Sequence, residues 1–314
     1  MSEIIRVRNL VKTYGTINAV NDLSFTVSKG EVYGFLGQNG AGKSTTIRIL
    51  LSLIRPTSGE VELFGMDIRT HRNEILKNTG AIIERPDLYK YLSAYENVSI
   101  FSRLSGIRNT RKQILEQLEL VGLVERADSK VKTFSQGMKQ RLGLAVALIH
   151  NPDLVILDEP TNGLDPQGIA DVRNLILHLS RNLGKTVFVS SHLLNEMEMI
   201  ADRMLILDKG KSVREGSVTD LFDPARMHVQ FVMRNVKESL EKVELSYWSS
   251  RVLNADNHSI TFELEQDQIP MLNRFLSEHG ALITTVQSKH SLEEYFLSLT
   301  TANQHVDPFA DRTI

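Results

Sequence analysis

The sequence predicts an α/β protein with a largely parallel central sheet. Near-continuous apolar runs occur at Val32–Leu36, Leu154–Leu157 and Thr186–Val189, and segments with helix-forming content separate them. Parallel strands that helices cover on both faces have uninterrupted apolar runs of this kind. Polar or glycine-rich residues follow each run. Because ligands of such sheets bind beyond the carboxyl ends of the strands, we expect residues that are distant in sequence to meet at one edge.

A glycine-rich stretch follows the first apolar run and precedes the helix-forming residues Thr46–Leu51. It has the pattern G-x-x-x-x-G-K-S in the strand-to-helix context that makes this motif specific. Glycines allow a tight turn with inward N–H groups, and the following helix N-terminus favours an anion. Lys43 adds a charge for the terminal phosphates, and the Ser44 hydroxyl can bind Mg²⁺. The alternative, a chance glycine turn, is disfavoured by the strand and helix on either side. The predicted phosphate-binding residues are Gly37, Gln38, Asn39, Gly40, Ala41, Gly42, Lys43, Ser44 and Thr45.

A second group of polar residues follows two later apolar runs. Asp158 and Glu159 come directly after Leu154–Leu157, and His192 ends the strand predicted from Thr186. In metal-assisted phosphoryl transfer, one carboxylate can serve the metal and the other the attacking water. A solvated acidic turn is the alternative for the two carboxylates, and a structural role is the usual one for a single histidine. The phosphate-binding stretch upstream favours the catalytic interpretation of the carboxylates.

Periodicity places the remaining elements of the first part of the chain. Helical spacing of apolar residues dominates from Tyr89 to His150, and we interpret this stretch as a helical subdomain inserted into the α/β core. Further helices are expected at Pro166–Leu183 and Leu193–Ala201. Further strands are expected at Ile4–Leu10, Leu23–Val27, Val61–Phe64, Thr79–Glu84, Met204–Leu207 and Lys211–Glu215.

The residues after Asp223-Pro224 predict a small second α/β domain without evident catalytic residues. Trp248 is expected in its core or at an interface, and the polar tail after Thr301 is expected to be loose. The expected strands are His228–Met233, Ser259–Leu264 and Leu282–Gln287, and the expected helices are Gln268–Glu278 and Leu292–Leu299.

Composition excludes several kinds of site. The 314 residues carry 36 Lys and Arg against 38 Asp and Glu, a net charge of −2, which argues against a general nucleic-acid binder. There is no Cys, so disulfides, thiolate zinc sites and cysteine catalysis are excluded. No apolar run approaches the roughly 20 residues that span a bilayer. A role at a membrane would therefore require another chain to cross it.

With these motifs in order, roughly residues 3 to 217 resemble the ATP-binding cassette (ABC) family of transport ATPases. Tyr14 matches the aromatic residue that stacks on adenine, and Glu84 lies where the family usually has a glutamine that contacts Mg²⁺ and senses the membrane partner. Phe134–Met138 matches the signature, and Gly163–Asp165 matches the loop that crosses the dimer interface. The other matches are the Walker A loop Gly37–Thr45, the Walker B carboxylates Asp158 and Glu159, and the switch histidine His192.

The resemblance implies a P-loop ABC ATPase fold: a mostly parallel core sheet, an antiparallel β subdomain, an inserted helical subdomain and a small C-terminal α/β domain. The implied domains are a nucleotide-binding domain over 1–222, with its helical subdomain at about 87–150, an accessory domain over 223–300, and a tail over 301–314.

The resemblance also implies roles. ATP and Mg²⁺ would be bound, with Ser44, Glu84 and Asp158 serving the metal, directly or through water. Glu159 would activate the hydrolytic water and His192 would contact the γ-phosphate. Ser135, Gln136 and Gly137 would face the ATP of the opposite subunit, near Asp165 at the interface. Two departures are the carboxylate of Glu84 in place of the usual glutamine, and three changed positions in the signature.

The function implied is that of an ATPase subunit on the cytoplasmic face of the cell membrane. Its expected partners are a second cassette and polytopic permease subunits, with no nucleic acid. The stretch Ser291–Leu297 resembles extensions of exporter-type cassettes, which favours export. A soluble ABC-type ATPase of an assembly or repair complex is the alternative. A non-catalytic nucleotide-binding or scaffold subunit is a third hypothesis, which the presence of Glu159 and His192 disfavours.

Overall fold

The computed structural model describes residues 2–221 and 227–289, and the chain forms two compact units that divide between Val218 and Thr219. Several expectations lie outside the described residues. They are the boundary at Asp223-Pro224, the helix Leu292–Leu299, the stretch Ser291–Leu297 and the tail 301–314.

A six-stranded sheet forms the centre of the first unit, in the order β10-β9-β3-β8-β7-β6. The pairs from β9 to β6 are parallel, and β10 is antiparallel to β9. Every residue of β3, β7 and β8 is buried, which explains the apolar runs within them. The strands are β3 (Val32–Gly37), β6 (Thr79–Ile82), β7 (Leu154–Asp158), β8 (Thr186–Ser191), β9 (Arg203–Asp208) and β10 (Lys211–Ser217).

An antiparallel sheet packs beside it, in the order β2-β1-β4-β5. A cluster of four aromatic rings joins the two sheets, with centroids 5.2 to 6.1 Å apart: Phe25, Tyr33, Phe35 and Phe188. The strands are β1 (Glu3–Tyr14), β2 (Ile17–Ser28), β4 (Ser58–Leu63) and β5 (Met66–Asp67). β1 and β2 are longer than predicted at both ends, because antiparallel pairing continues into the exposed hairpin.

Eight α-helices are described up to residue 221. They are α1 (Lys43–Leu50), α2 (Arg72–Lys77), α3 (Ala94–Leu104), α4 (Arg111–Leu120), α5 (Gln136–Leu148), α6 (Pro166–Arg181), α7 (Leu194–Ile200) and α8 (Val218–Leu221). Helices α3 to α5 lie in the stretch Tyr89–His150, which was predicted to be helical from the spacing of its apolar residues. Capping boxes begin α3, with Ser93 and Glu96, and α4, with Thr110 and Gln113. None of the helices in the described part of the chain has the length and apolar content of a membrane span.

Helix α5 packs on β6 with its backbone in direct contact. A Cβ on Gly80 would lie 2.2 Å from the carbonyl oxygen of Ala147, and one on Gly143 would lie 2.4 Å from Cβ of Pro86. Only glycine fits at these two positions. The helix therefore lies directly on β6 and on the segment that follows it.

In its described residues 227–289, the second unit has a four-stranded antiparallel sheet with two α-helices, in the chain order strand, helix, strand, strand, helix, strand. The sheet order is β12-β13-β11-β14, and the core includes Phe231, Phe262 and Leu272, with Trp248 packed against it. Helix α9 and strand β12 were not predicted. The elements are β11 (Met227–Met233), α9 (Val236–Glu244), β12 (Val252–Ala255), β13 (Ser259–Leu264), α10 (Gln268–Glu278) and β14 (Ile283–Lys289).

Candidate nucleotide-binding site

The glycine-rich loop joins the end of β3 at Gly37 to the start of α1 at Lys43. Gly42 has φ 108°, and a Cβ there would lie 2.4 Å from the carbonyl oxygen of Ala19. Gly40 also has a positive φ, 83°. Both positions require glycine or strongly favour it, so the backbone can form the cradle of N–H groups that the motif predicts.

Lys43 is 5% exposed, and its ammonium group folds back over the loop. Nζ donates to the carbonyl oxygens of Gly37, at 2.5 Å, and Gln38, at 3.2 Å. The same Nζ lies 3.1 Å from Oε1 of Glu159, so the loop lysine and the predicted catalytic carboxylate form an ion pair. This places a positive charge where phosphates of a bound nucleotide would need it.

Ser44 and Thr45 follow the loop directly, whereas Tyr14 lies on the antiparallel sheet. Tyr14 ends β1 and is 49% exposed, with Nζ of Lys12 4.8 Å from its ring centroid. Ser44 and Thr45 are in the first turn of α1 and are half-buried. The exposed Tyr14 ring can take a stacking partner such as a nucleotide base.

The sheet order explains why the predicted catalytic residues meet. Strand β8 lies between β3 and β7, so the chain beyond its end reaches both the loop and the carboxylates. Nδ1 of His192 donates to Oε2 of Glu159 at 2.7 Å. Glu159 therefore lies between Lys43 and His192, and its side chain is only 16% exposed.

Asp158 is completely buried at the end of β7. Its Oδ1 accepts a hydrogen bond from Oγ of Ser190 at 2.6 Å, and its Oδ2 is buried without a hydrogen-bond partner among the described residues. A buried carboxylate oxygen with no donor fits a hard cation such as Mg²⁺, which takes oxygen ligands. The described residues contain no group of three or more His, Cys, Asp or Glu that could hold a metal.

Sequence reasoning missed Ser190, which contacts both predicted carboxylate residues. A signal was present, because Ser190 and Ser191 interrupt an otherwise apolar strand and are buried like the rest of it. The role of Ser190 could be recognised only once β8 was known to lie beside β7.

Glu84 lies two residues beyond the end of β6, with φ 58° and a side chain 64% exposed. The strand predicted over Thr79–Glu84 therefore ends at Ile82. Oε1 of Glu84 is 2.6 Å from the guanidinium of Arg48, one turn after Ser44 on α1. The carboxylate that replaces the expected glutamine thus has a positive partner. Its predicted part in metal binding stays a prediction.

The signature and interface residues lie at the beginnings of two helices. Oγ of Ser135 caps α5 by accepting from the N–H of Met138 at 3.2 Å. Oδ1 of Asp165 caps α6 by accepting from the N–H of Gly168 at 2.9 Å. Ser135 and Gln136 are exposed and Gly137 is half-buried. Helix capping is therefore one reason for Ser135 and Asp165 at these positions. The contact of the signature residues with a partner's nucleotide stays a prediction.

Comparisons with known proteins agree with this geometry. A family model described as "ABC transporter" matches residues 20–162. A second, described as "AAA domain, putative AbiEii toxin, Type IV TA system", matches residues 130–198. The bacitracin transport ATP-binding protein BcrA of Bacillus licheniformis is 40% identical over 310 residues, covering 95% of this chain and 98% of its own length. The lantibiotic transport ATP-binding protein SrtF of Streptococcus pyogenes is 43% identical over 212 residues, covering 68% of this chain and 90% of its own.

Solved structures give the same result for the fold. The dimeric post-hydrolysis state of the ATP-binding cassette MJ0796, bound to ADP and Pi, has a TM-score of 0.62 and 29% identity, covering 68% of this chain and 98% of its own. CbiO1 from Clostridium perfringens, part of the ABC transporter complex cbiONQ, has a TM-score of 0.65 and 25% identity, covering 79% of this chain and 96% of its own. The chain therefore belongs to the ABC transporter family, as one of its ATP-binding, ATP-hydrolysing subunits with the P-loop ABC ATPase fold.

Proposed function

We propose that this chain is the ATPase subunit of an exporter of peptide antibiotics and works at the cytoplasmic face of the cell membrane, bound to separate permease subunits. The observation that carries the proposal is the 40% identity to a bacitracin transport ATP-binding protein along 95% of the chain. The lantibiotic transport relative, at 43% identity, supports the same class of cargo.

The roles of the site residues follow from their chemistry. The loop amides and Lys43 bind the phosphates of ATP, and Tyr14 stacks on the adenine. Glu159 accepts the proton of the attacking water, as a carboxylate general base does. Its side chain is held 3.1 Å from Lys43 and 2.7 Å from His192. His192 then holds the γ-phosphate. Bringing ATP into this site requires Lys43 to leave Glu159 for the phosphates.

Mg²⁺ would be held by Ser44, Asp158 and Glu84, directly or through water. When bound, the ion neutralises charge on the phosphates during transfer. The buried and unpartnered Oδ2 of Asp158 supports this assignment. Arg48 balances the extra charge of Glu84, so a carboxylate at this position does not leave a net negative charge beside the nucleotide.

The site is completed by a second cassette. Ser135, Gln136 and Gly137 begin a helix of thirteen residues, and a helix N-terminus attracts anions. We propose that they bind the ATP held by the partner, with Asp165 at the same interface.

The proposed domains are those of the sequence analysis: a nucleotide-binding domain over 1–222 with a helical subdomain at about 87–150, an accessory domain over 223–300, and a tail over 301–314.

The test measures bacitracin resistance in a bacterial host that lacks a bacitracin exporter of its own. The chain is expressed with the membrane proteins that copurify with it, and the bacitracin concentration that inhibits growth is measured. We expect this concentration to rise with the wild type and not with Glu159→Gln, at equal amounts of membrane-bound protein. Removal of the general base lowers ATP hydrolysis by about a hundredfold or more.

Two outcomes would contradict the proposal. One is a resistance that the Glu159→Gln variant supports as well as the wild type does. The other is a chain that copurifies with soluble partners only and changes no antibiotic sensitivity, which is the result expected of an assembly or repair ATPase.

A further inference from the structure

Ser190 occupies the one position of β8 that lies directly across from Asp158. The strands pair in parallel, and Asp158 is in register with Ser190 at their carboxyl ends. Both residues are 0% exposed. The hydroxyl is therefore shielded from water, and its hydrogen bonds are those that the protein itself supplies.

The direction of both hydrogen bonds is fixed by chemistry. The carboxylate of Asp158 only accepts, so Oγ of Ser190 donates its single proton to Oδ1 at 2.6 Å. The backbone N–H of Glu159 only donates, so the same oxygen accepts from it at 3.0 Å. One hydroxyl group thus connects the two neighbouring carboxylate residues of the site.

The first bond orients Asp158. Rotation about the terminal torsion of an aspartate is broad and nearly two-fold, so the carboxylate plane needs a partner to fix it. Ser190 holds Oδ1, which leaves Oδ2 as the oxygen that is buried without a donor. Without the hydroxyl, no hydrogen bond among the described residues would hold either oxygen.

The second bond supports the backbone of Glu159. This residue has φ 50°, in the left-handed region where a non-glycine residue is strained. The bend turns the chain out of β7 and brings the Glu159 carboxylate to His192. An anchored N–H at the bend keeps that side chain in its position.

From these contacts we infer that Ser190 is a positioning residue for both halves of the hydrolytic site, orienting Asp158 toward the Mg²⁺ position and holding the bend at Glu159. The inference rests on the proposed Mg-ATP site. The next residue, Ser191, makes a different contact: its Oγ accepts a hydrogen bond from the N–H of Leu193 at 2.9 Å.

The test compares Ser190→Ala with Ser180→Ala in the full chain. Ser180 is a matched control, a buried serine whose Oγ donates to the carbonyl oxygen of Gly30; among the described residues, this Oγ has no hydrogen bond to the site. ATP affinity is measured for each protein with Mg²⁺ and with EDTA. We expect the affinity gained from Mg²⁺ to fall about tenfold in Ser190→Ala, because a hydrogen bond to a charged group is lost. Affinity in EDTA is expected to stay at the wild-type value, and Ser180→Ala to match the wild type in both.

Steady-state hydrolysis supplies a second readout, in which Ser190→Ala lowers kcat because Glu159 is no longer held. If the alanine variant does not fold, Ser190→Cys replaces it, since the thiol keeps the volume and is only a weak donor. The inference would be overturned if Ser190→Ala gained as much ATP affinity from Mg²⁺ as the wild type does and had the same kcat. It would also be overturned if the variant lost as much ATP affinity in EDTA as with Mg²⁺, which indicates general damage to the site. A wild type whose ATP affinity gains nothing from Mg²⁺ would instead overturn the proposed Mg-ATP site itself.

Discussion

At the scale of single residues, two glycines of the site have opposite surroundings. A Cβ at Gly42 would meet backbone at 2.4 Å, whereas one at Gly137 would meet only Cα of Gly168, at 3.9 Å. The first glycine is needed by the fold of its own chain. The second is not, so a requirement for glycine at 137 would have to come from something outside the chain.

This contrast gives a prediction for Gly137→Asp and Gly42→Ala. An aspartate in the first turn of α5 stabilises that helix by about 0.3–1 kcal/mol through the helix dipole, so folding and ATP binding by the single chain stay intact. ATP hydrolysis is expected to be lost, because the carboxylate repels the partner's phosphates. Gly42→Ala should weaken ATP binding itself. Equilibrium ATP binding and ATPase rates distinguish the two, and full hydrolysis by Gly137→Asp would show that this helix end does not meet a phosphate.

Residue identities in the loop and at the strand ends were predictable because each depends on local sequence. The glycine-rich loop needs only its flanking strand and helix to be recognised. Asp158 and Glu159 directly follow an apolar run, and His192 follows the polar end of another strand. Ser190 was not predictable in the same way, because its function depends on which strand lies beside β7 and in which register.

At the scale of elements, α5 connects distant parts of the first unit. It begins at the signature, lies on Pro86 beyond Glu84, and packs its last turns on β6. Because neither Gly80 nor Gly143 has room for a side chain, α5 lies directly against β6 and the segment after it. Sequence reasoning predicted this helix from its spacing. It missed α9, whose apolar residues Val236, Leu240 and Val243 have helical spacing over only nine residues.

The end of α5 gives a prediction about pH. His150 follows this helix, and its Nε2 donates to the carbonyl oxygen of Thr79 in β6 at 3.1 Å, while Nδ1 is buried without a partner. Burial, and then the charge of Lys185, lowers the pKa of His150 below its ordinary value of 6.5. Below about pH 6.5 the unfolded chain binds a proton at this histidine more readily than the folded chain does, so stability falls as the pH falls.

We therefore expect the free energy of unfolding to decrease from pH 7 to pH 5, and to decrease less in His150→Gln over the same range. Above the unfolded pKa the histidine is neutral in both states, so its contribution there is independent of pH. Urea unfolding at a series of pH values measures both slopes. Equal slopes in the two proteins would mean that His150 does not contribute to acid sensitivity.

At the scale of the whole molecule, the proposed site needs residues of two chains. The phosphate loop, Glu159 and His192 meet at the sheet edge, whereas no described contact within the chain joins them to Ser135 or Gly137. The family includes a cassette that is dimeric in its ADP-bound and Pi-bound structure. If ATP bridges the loop of one chain and the signature helix of another, association must depend on intact ATP.

Sedimentation of the purified full chain tests this dependence. Glu159→Gln with Mg²⁺ and ATP is expected to sediment as a dimer, because ATP stays uncleaved between the two chains, and to return to a monomer when ADP replaces ATP. The double variant with Gly137→Asp keeps every contact of the single-chain site, yet it places a carboxylate where each partner's phosphates would lie. It is expected to bind ATP and remain a monomer at all concentrations measured. A dimer of the double variant with the stability of the single variant would place the association surface elsewhere on the chain.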